Sequence, residues 1–447
     1  MAATATMVRC PLCGATVAPD QWGLVECSCG WGGHGDPLES ARGLRRLVMR
    51  VDRRLATRTA RADLVRLGSG HWQPGRLGLV YMLALLLAST LIYMVIAAVL
   101  VGLAAFAFSL IRDHAWIGAS VIAFLFVVFS LSLLLDRIRP KGVEAPRARF
   151  PRLWAALDDV RARTGAPLPH RVILVPQANA YVFQHRPLRR LFRRELVLAL
   201  GAGCLPLQSE LDVRSLLAHE LAHYRHGHTA LHRYYARAER ALSDFTNMLT
   251  EAGETHGVLT RSYRTGGSFS FVVGAGAMLA LLFTLPLRLI LFIFHLLRLA
   301  ESRAAEFEAD RTAINAYGSQ ALADNLTALL VADHTLRGTA SSLRADMLKH
   351  NSRSIYAEMR RHYAALPPTV ILHLRQESLR EFRSLERSHP TTPDRLRAAS
   401  IAAVPPPPDV PHTTSTDLLT PAGATGPEDV EAELTALLFA ERHSRRR

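Results

Sequence analysis

The stretch "SLLAHELAHYRHGH", Ser215 to His228, places four histidines within ten residues. On an α-helix, positions four apart share a face, with Cβ atoms about 5–6 Å apart. His219 and His223 keep that spacing, as do His228 and His232, but only the first pair has a glutamate directly after its leading member. His219-Glu220-Leu221-Ala222-His223 is H-E-x-x-H, in which two imidazoles grip zinc and the carboxylate stands beside the water to be activated. His226 lies a further turn along, and Gly227 is a helix stop, so His226, His228 and His232 read as polar surface or helix-end residues. Upstream, Ser209-Glu210-Leu211-Asp212 reads as a capping box that starts the helix. Leu217 and Leu221 supply an apolar stripe to hold it against a core.

Zinc requires a third protein ligand, with the fourth position left to water. "AESRAAEFEADRTA", Ala300 to Ala313, offers Glu301, Glu306, Glu308 and Asp310 on a second element. Glu306 and Asp310 are four apart and share a helix face, whereas Glu308 points away. One of the two could bind the metal while the other fixes a ligand imidazole. Spacing does not decide between them.

Half of the 447 residues are apolar, and Lys+Arg outnumber Asp+Glu by 53 to 38. Leu77 to Ile111 runs 35 residues without a charge, and Ala115 to Leu135 another 21. A bilayer core about 30 Å thick needs about 20 helical residues, so residues 77–135 are expected to form two transmembrane helices. Asp36 to Arg76 holds ten arginines against four acids, and Asp136 to Phe150 holds five basic residues against two acids. Both flanks then lie on the cytoplasmic side, giving a multi-pass cell-membrane protein whose N-terminus and catalytic domain face the cytoplasm. No cleavable signal peptide is visible at the N-terminus.

Four of the five cysteines are clustered as Cys10-Pro-Leu-Cys13 and Cys27-Ser-Cys29, each pair followed by glycine. Four thiolates satisfy tetrahedral zinc, so residues 1–35 read as a small zinc ribbon holding a structural ion. Cys204 stands alone and reads as a small buried hydrophobe. Residues 36–76 form a basic linker with Leu44, Leu47, Val48, Val51 and Leu55 at helical spacing. It is either an amphipathic helix on the inner leaflet or a solvated helix packed on its own domain. Within residues 136–268, "RVILV", "AYVFQ" and "ELVLAL" are short β-rich runs expected to form a small sheet. Residues 269–300 contain Pro286 and are expected to form a membrane hairpin or re-entrant segment, or else one bent helix. Residues 301–402 complete the catalytic domain, and the proline-rich residues 403–447 are expected to be disordered, with "EDVEAELTALLFAERH" able to form one short amphipathic helix. The fold class expected is α+β, mostly α: a membrane-anchored HExxH metallopeptidase domain with transmembrane helices and a small N-terminal zinc ribbon.

Over about Asp136 to Ser400 the chain resembles the membrane gluzincins that include the bacterial HtpX proteases and the CAAX prenyl proteases. The resemblance rests on HELAH at His219–His223, E-F-x-A-D at Glu306–Asp310, and a late His389-Pro390 followed by Arg395. It implies Glu306 as third zinc ligand and Asp310 as partner of a ligand imidazole. It also implies His389 and Arg395 in the cleft, stabilising the reacting carbonyl, and Asn179, Ala180 and Tyr181 on an edge strand that holds substrate. The activity implied is zinc-dependent peptide hydrolysis with Glu220 as general base, acting on unfolded or membrane proteins in quality control. A specific CAAX-type processing protease and a zinc-ribbon adaptor binding protein or nucleic acid are the alternatives. Nucleic acid is not an expected partner, because few aromatics interleave with the arginines and anionic lipid accounts for the charge.

Overall fold

The computed structural model describes residues 7–19, 25, 27–29, 31–33, 36–68, 76–112, 116, 120, 141–185, 195–225, 234–244, 246, 268–342, 354–384, 387–410 and 413–444. They divide into two units. The first gathers Met1–Trp72, Ile138–Thr229 and Arg303–Arg447; the second gathers Gln73–Arg137 and Ala230–Ser302.

The first unit begins with two antiparallel strands, Val8–Arg9 (β1) and Thr16–Val17 (β2). Their turn is closed by Gly14, whose φ of 76° lies in the left-handed region that a Cβ disfavours. Cys10, Cys27 and Cys29 are buried around Trp31. The Trp31 indole donates to Glu39 at 2.8 Å, tying this knob to the short helix Pro37–Ser40 (α1), which Asp36 caps. The helix Gly43–Gly68 (α2) follows.

The main body of the first unit is built on a four-stranded sheet in which Val143–Glu144 (β3), Arg171–Val175 (β4), Glu195–Gly201 (β6) and Ala180–His185 (β5) lie in that order. Only the β4–β6 pair is parallel. The three apolar runs seen in the sequence are β4, β5 and β6; β3 is too short to show as a pattern. Leu198 and Leu200 of β6 enter the main core, whereas Val197 and Ala199 pack on the opposite face. Alternation thus buries both faces of this strand. The helix Pro151–Thr164 (α4) and the motif helix Glu210–Arg225 (α5) share the main core with the sheet. So do Ser319–Ser342 (α7) and Ile355–Ala365 (α8). Pro368–Ser378 (α9) and Thr392–Ala402 (α10) complete this part of the chain.

In the second unit, Arg76–Arg112 (α3) is a 37-residue helix. Its Leu85 and Ile92 pack with Tyr235, Ala238, Leu242 and Phe294. Among the described residues no helix is long and apolar enough to cross a membrane. Of the second apolar run only Trp116 and Ser120 are described, so the second expected span lies outside the described residues, as do His226, His228 and His232.

Two expectations need correction. Ser268–Tyr317 (α6) is one helix of 50 residues with no reversal near Pro286, so neither a hairpin nor a re-entrant turn forms there. Proline within a helix removes one hydrogen bond and kinks the rod; it does not by itself turn the chain back. The described residues of the C-terminal region, 403–410 and 413–444, are also folded, not disordered. Its prolines lie across Gly318, where a Cβ would meet the Pro406 backbone at 2.7 Å. Val404 and Ser319 exchange hydrogen bonds there. Thr414 bridges to Ser209, and Val430, Leu434 and Leu438 of Glu428–Ser444 (α11) enter the core. The short amphipathic helix read in "EDVEAELTALLFAERH" does form, its apolar side chains recurring at i and i+4; what composition hid is that it packs on the core.

Candidate metal centre

The motif helix α5 starts where its capping box predicts. The Ser209 N–H donates to Asp212 Oδ2 at 2.9 Å, and the Asp212 N–H donates back to Ser209 Oγ at 3.2 Å. Leu217 and Leu221 are fully buried, which turns His219 and His223 toward the C-terminal part of α6. That segment brings Glu306, and one turn on Asp310, to the same place.

The three donors form a triangle. His219 Nε2 and His223 Nε2 lie 3.3 Å apart, and each is 3.5 Å from an oxygen of Glu306. Tetrahedral ligands about 2.0–2.1 Å from zinc stand about 3.3–3.4 Å from one another. The two Glu306 edges run to different oxygens, so with a small turn of the carboxylate the three groups could hold one zinc ion and leave a fourth position. The side chain of Asp310 lies on the far side of His219, with Oδ1 2.9 Å from Nδ1. This leaves Nε2 of His219 facing Glu306, an arrangement in which Glu306 could hold a metal while Asp310 orients the ring.

His389 and Arg395 reach the same cluster. His389 Nδ1 lies 2.8 Å from Glu306 Oε1, on the exposed side. Arg395 donates twice to Asp310, from Nε at 2.8 Å and Nη2 at 2.6 Å, and its Nη1 is 3.6 Å from Glu306. Its guanidinium is thus committed to the two acids. A fork–fork pair of this kind fixes orientation as well as charge.

The segment carrying these two residues is itself pinned by a group the sequence reading missed. Thr391 caps α10 by accepting from the Asp394 N–H, and Asp394, almost fully buried, is gripped by Arg383 and Arg397. Thr391-Thr-Pro-Asp394 follows the same cap pattern as Ser209–Asp212, so the signal was present. Burial works against the ionised Asp394, but Arg383 outweighs it and holds the carboxyl below its usual range.

Electrostatics divide the carboxylates by role. Burial opposes charge on Glu306, yet hydrogen bonds with His219 and His389 hold it well below the ordinary value. Burial pushes Glu220 up to about 7, with His219, Arg395 and His389 pulling the other way and Glu306 adding to the rise. A ligand should be ionised and a general base should sit near the working pH; the two glutamates match those needs. Burial also opposes a proton on His219, but its bonds to Asp310 and Glu306 win and raise the ring to about 10.

A pH effect follows. Metal-free His219 carries its extra proton through the neutral range, and zinc has to displace it from Nε2. Zinc uptake at neutral pH should release at least one proton. Affinity should rise about tenfold per pH unit while the ring still titrates. Calorimetric titration with zinc in buffers of differing protonation enthalpy reads the number; no release would mean that the ring is already neutral.

Ala180 and Tyr181 open β5, the last strand of the sheet, with Asn179 just before it; Ala180 lies opposite Leu200 and Tyr181 opposite Ala199. The motif helix packs beside this strand. In the N-terminal knob, the sulfurs of Cys10, Cys13, Cys27 and Cys29 all lie within 4.8 Å of one another. The Cys10–Cys29 and Cys13–Cys27 separations are 3.5 and 3.4 Å. Four sulfurs about 2.3 Å from zinc stand about 3.8 Å apart, so a small outward adjustment would admit an ion. Cys204 is fully buried in the main core.

Comparison with known proteins agrees with this geometry. The profile of Peptidase family M48 matches residues 147–403. A "Protease HtpX homolog" from Pyrobaculum calidifontis is 24% identical over 253 residues, covering 55% of this chain and 67% of that one. One from Ralstonia nicotianae is 30% identical over 186 residues, covering 41% and 57%. This chain thus spans between about half and two thirds of these relatives' length. The crystal structure of S. mikatae Ste24p aligns over 78% of this chain and 75% of that one at 13% identity, with a TM-score of 0.35, too low a likeness to carry an argument. The family match takes in more than half of the chain and both helices that meet at the His219–His223–Glu306 triangle, so this protein belongs to peptidase family M48.

Proposed function

We propose that this protein is an integral-membrane zinc endopeptidase of HtpX type, cutting membrane or unfolded proteins on the cytoplasmic side. The observation that carries the reading is the triangle of two imidazoles and one carboxylate with Glu220 beside it. Zinc bound there would polarise a substrate carbonyl and bring the pKa of water down to about 7. The chain's own groups then divide the work. His219 and His223 hold the ion, Asp310 keeps the His219 ring in place, and Glu306 completes the set. Glu220 takes the proton from the attacking water and passes it to the leaving amine. His389, on the exposed side of the centre, donates to the oxygen on which charge develops. Arg395, tied to Asp310 and close to Glu306, steadies the acids and adds positive charge to the same region. Substrate lies extended along β5, held mainly through its backbone, which favours flexible segments over a fixed sequence.

The membrane reading rests on the two uncharged runs and on the arginine-rich flanks. A second zinc ion at the four cysteines would fasten the N-terminal knob. Full-length protein in detergent should cleave a denatured protein, stop when a chelator is added and recover with zinc. Cleavage that persists after the metal has been stripped would remove zinc from the mechanism.

A further inference from the structure

α2 packs on the first unit by a face other than its apolar stripe. Arg53 and Ala56 face inward, where Arg53 pairs with Asp36 through bonds of 3.0 and 3.1 Å and lies 4.5 Å above the ring of Phe382. Leu47, Val48, Val51 and Leu55 face outward, 57, 59, 48 and 43% exposed, while Arg53 is 7% exposed. At about 100° per residue these four side chains span an arc of about 100°, centred roughly opposite Arg53. Amphipathic helices of water-soluble domains turn such a stripe inward. Arg54 and Arg61 stand along one border of the stripe, Arg58 just inside that border and Arg45 beyond the other, and all four are exposed.

We infer that the outward face of α2 docks on an anionic phospholipid surface. Four branched side chains in a row match the acyl boundary, which amphipathic helices enter to a depth of about 5–10 Å. Arginines beside them stand at headgroup height, and their long stems let the guanidinium reach phosphate while the stripe sinks. Nucleic acid would meet the same cations, but with an apolar ridge between them. The complementarity is to a surface that is apolar beneath and negative above.

Docking would also set the height of the cleft. α2 packs on α10, which carries Arg395 to Asp310, so the lipid-facing helix and the metal centre share one support. Substrate segments emerging at the bilayer surface are the ones presented to β5. This deepens the membrane reading above, but the docking itself needs no peptidase activity.

The test uses full-length protein in proteoliposomes, with the photoreactive residue p-benzoylphenylalanine in place of Val51. In phosphatidylcholine mixed with phosphatidylglycerol, irradiation should give mainly phospholipid adducts. Those adducts should fall at least about tenfold in pure phosphatidylcholine, or when Arg45, Arg54, Arg58 and Arg61 are changed to Gln. Cleavage of a short soluble peptide by the Arg→Gln variant should match wild type, showing that the fold and the metal centre are intact. Adducts with a second copy or another protein, no adduct at all, or equal yield in both lipids would overturn the proposal. A peptidase-dead protein that still gives lipid adducts would overturn only the enzymatic reading.

Discussion

Glu220→Gln is expected to keep its zinc and to lose turnover by a factor of about 100–10,000, the range general-base catalysis supplies. The substitution keeps shape and volume, and neither His219, His223 nor Glu306 changes, so metal content should equal that of wild type. The amide cannot take a proton at any working pH. The carboxylate can, and its environment prepares it to: burial lifts it to about 7 in the metal-free site. A bound dication nearby favours the ionised form, so the acid limb of the wild-type pH profile should lie below 7, with activity present above that pKa and lost as pH falls through it. Metal analysis and cleavage assays on the same preparation decide the matter. Proteolysis retained by the zinc-loaded variant would remove Glu220 from its role.

The centre was legible because metal coordination demands particular atoms at particular spacings. His219 and His223 had to be four apart on a helix, and a third donor had to come from a second element. Choosing between Glu306 and Asp310 needed either the family resemblance or the coordinates, since both lie on one face. The strand was legible too, because "AYVFQ" is β-rich and bounded by turn residues; its place at the sheet edge came only from the family resemblance.

Other features were hidden for physical reasons. Arg395 was expected at the reacting carbonyl; its bonds to Asp310 show a guanidinium already committed to two acids, a relation between α10 and α6 that no local pattern encodes. The C-terminal region was misread because proline content argues for disorder locally, whereas Val430, Leu434 and Leu438 obtain their burial from a core made by distant segments. The direction of α2 was equally out of reach. The sequence left open whether its apolar stripe lay on lipid or on its own domain, and Arg53, with a buried carboxylate partner in Asp36, took the inward place.

Glu306→Ala should abolish stable zinc binding, and activity with it. Two imidazoles remain, held 3.3 Å apart, but the site loses its only anionic ligand. Removing a group that merely orients a ligand costs about 10–100-fold in metal affinity, so losing the ligand itself should exceed that range. Asp310→Asn provides the graded comparison. The amide can still accept from the His219 Nδ1–H but no longer carries the charge that offsets Arg395, and zinc affinity should fall by the smaller factor, about 10–100-fold. Truncating one partner of a buried ionic cluster can also cost about 3–5 kcal/mol of stability, here by leaving His389 and Arg395 beside an empty space. Glu306→Gln separates the two effects, because it fills the space while offering zinc only a neutral oxygen. A folded Glu306→Gln protein that binds zinc as tightly as wild type would exclude Glu306 from the coordination sphere. A folded, zinc-poor protein would place the third ligand on α6.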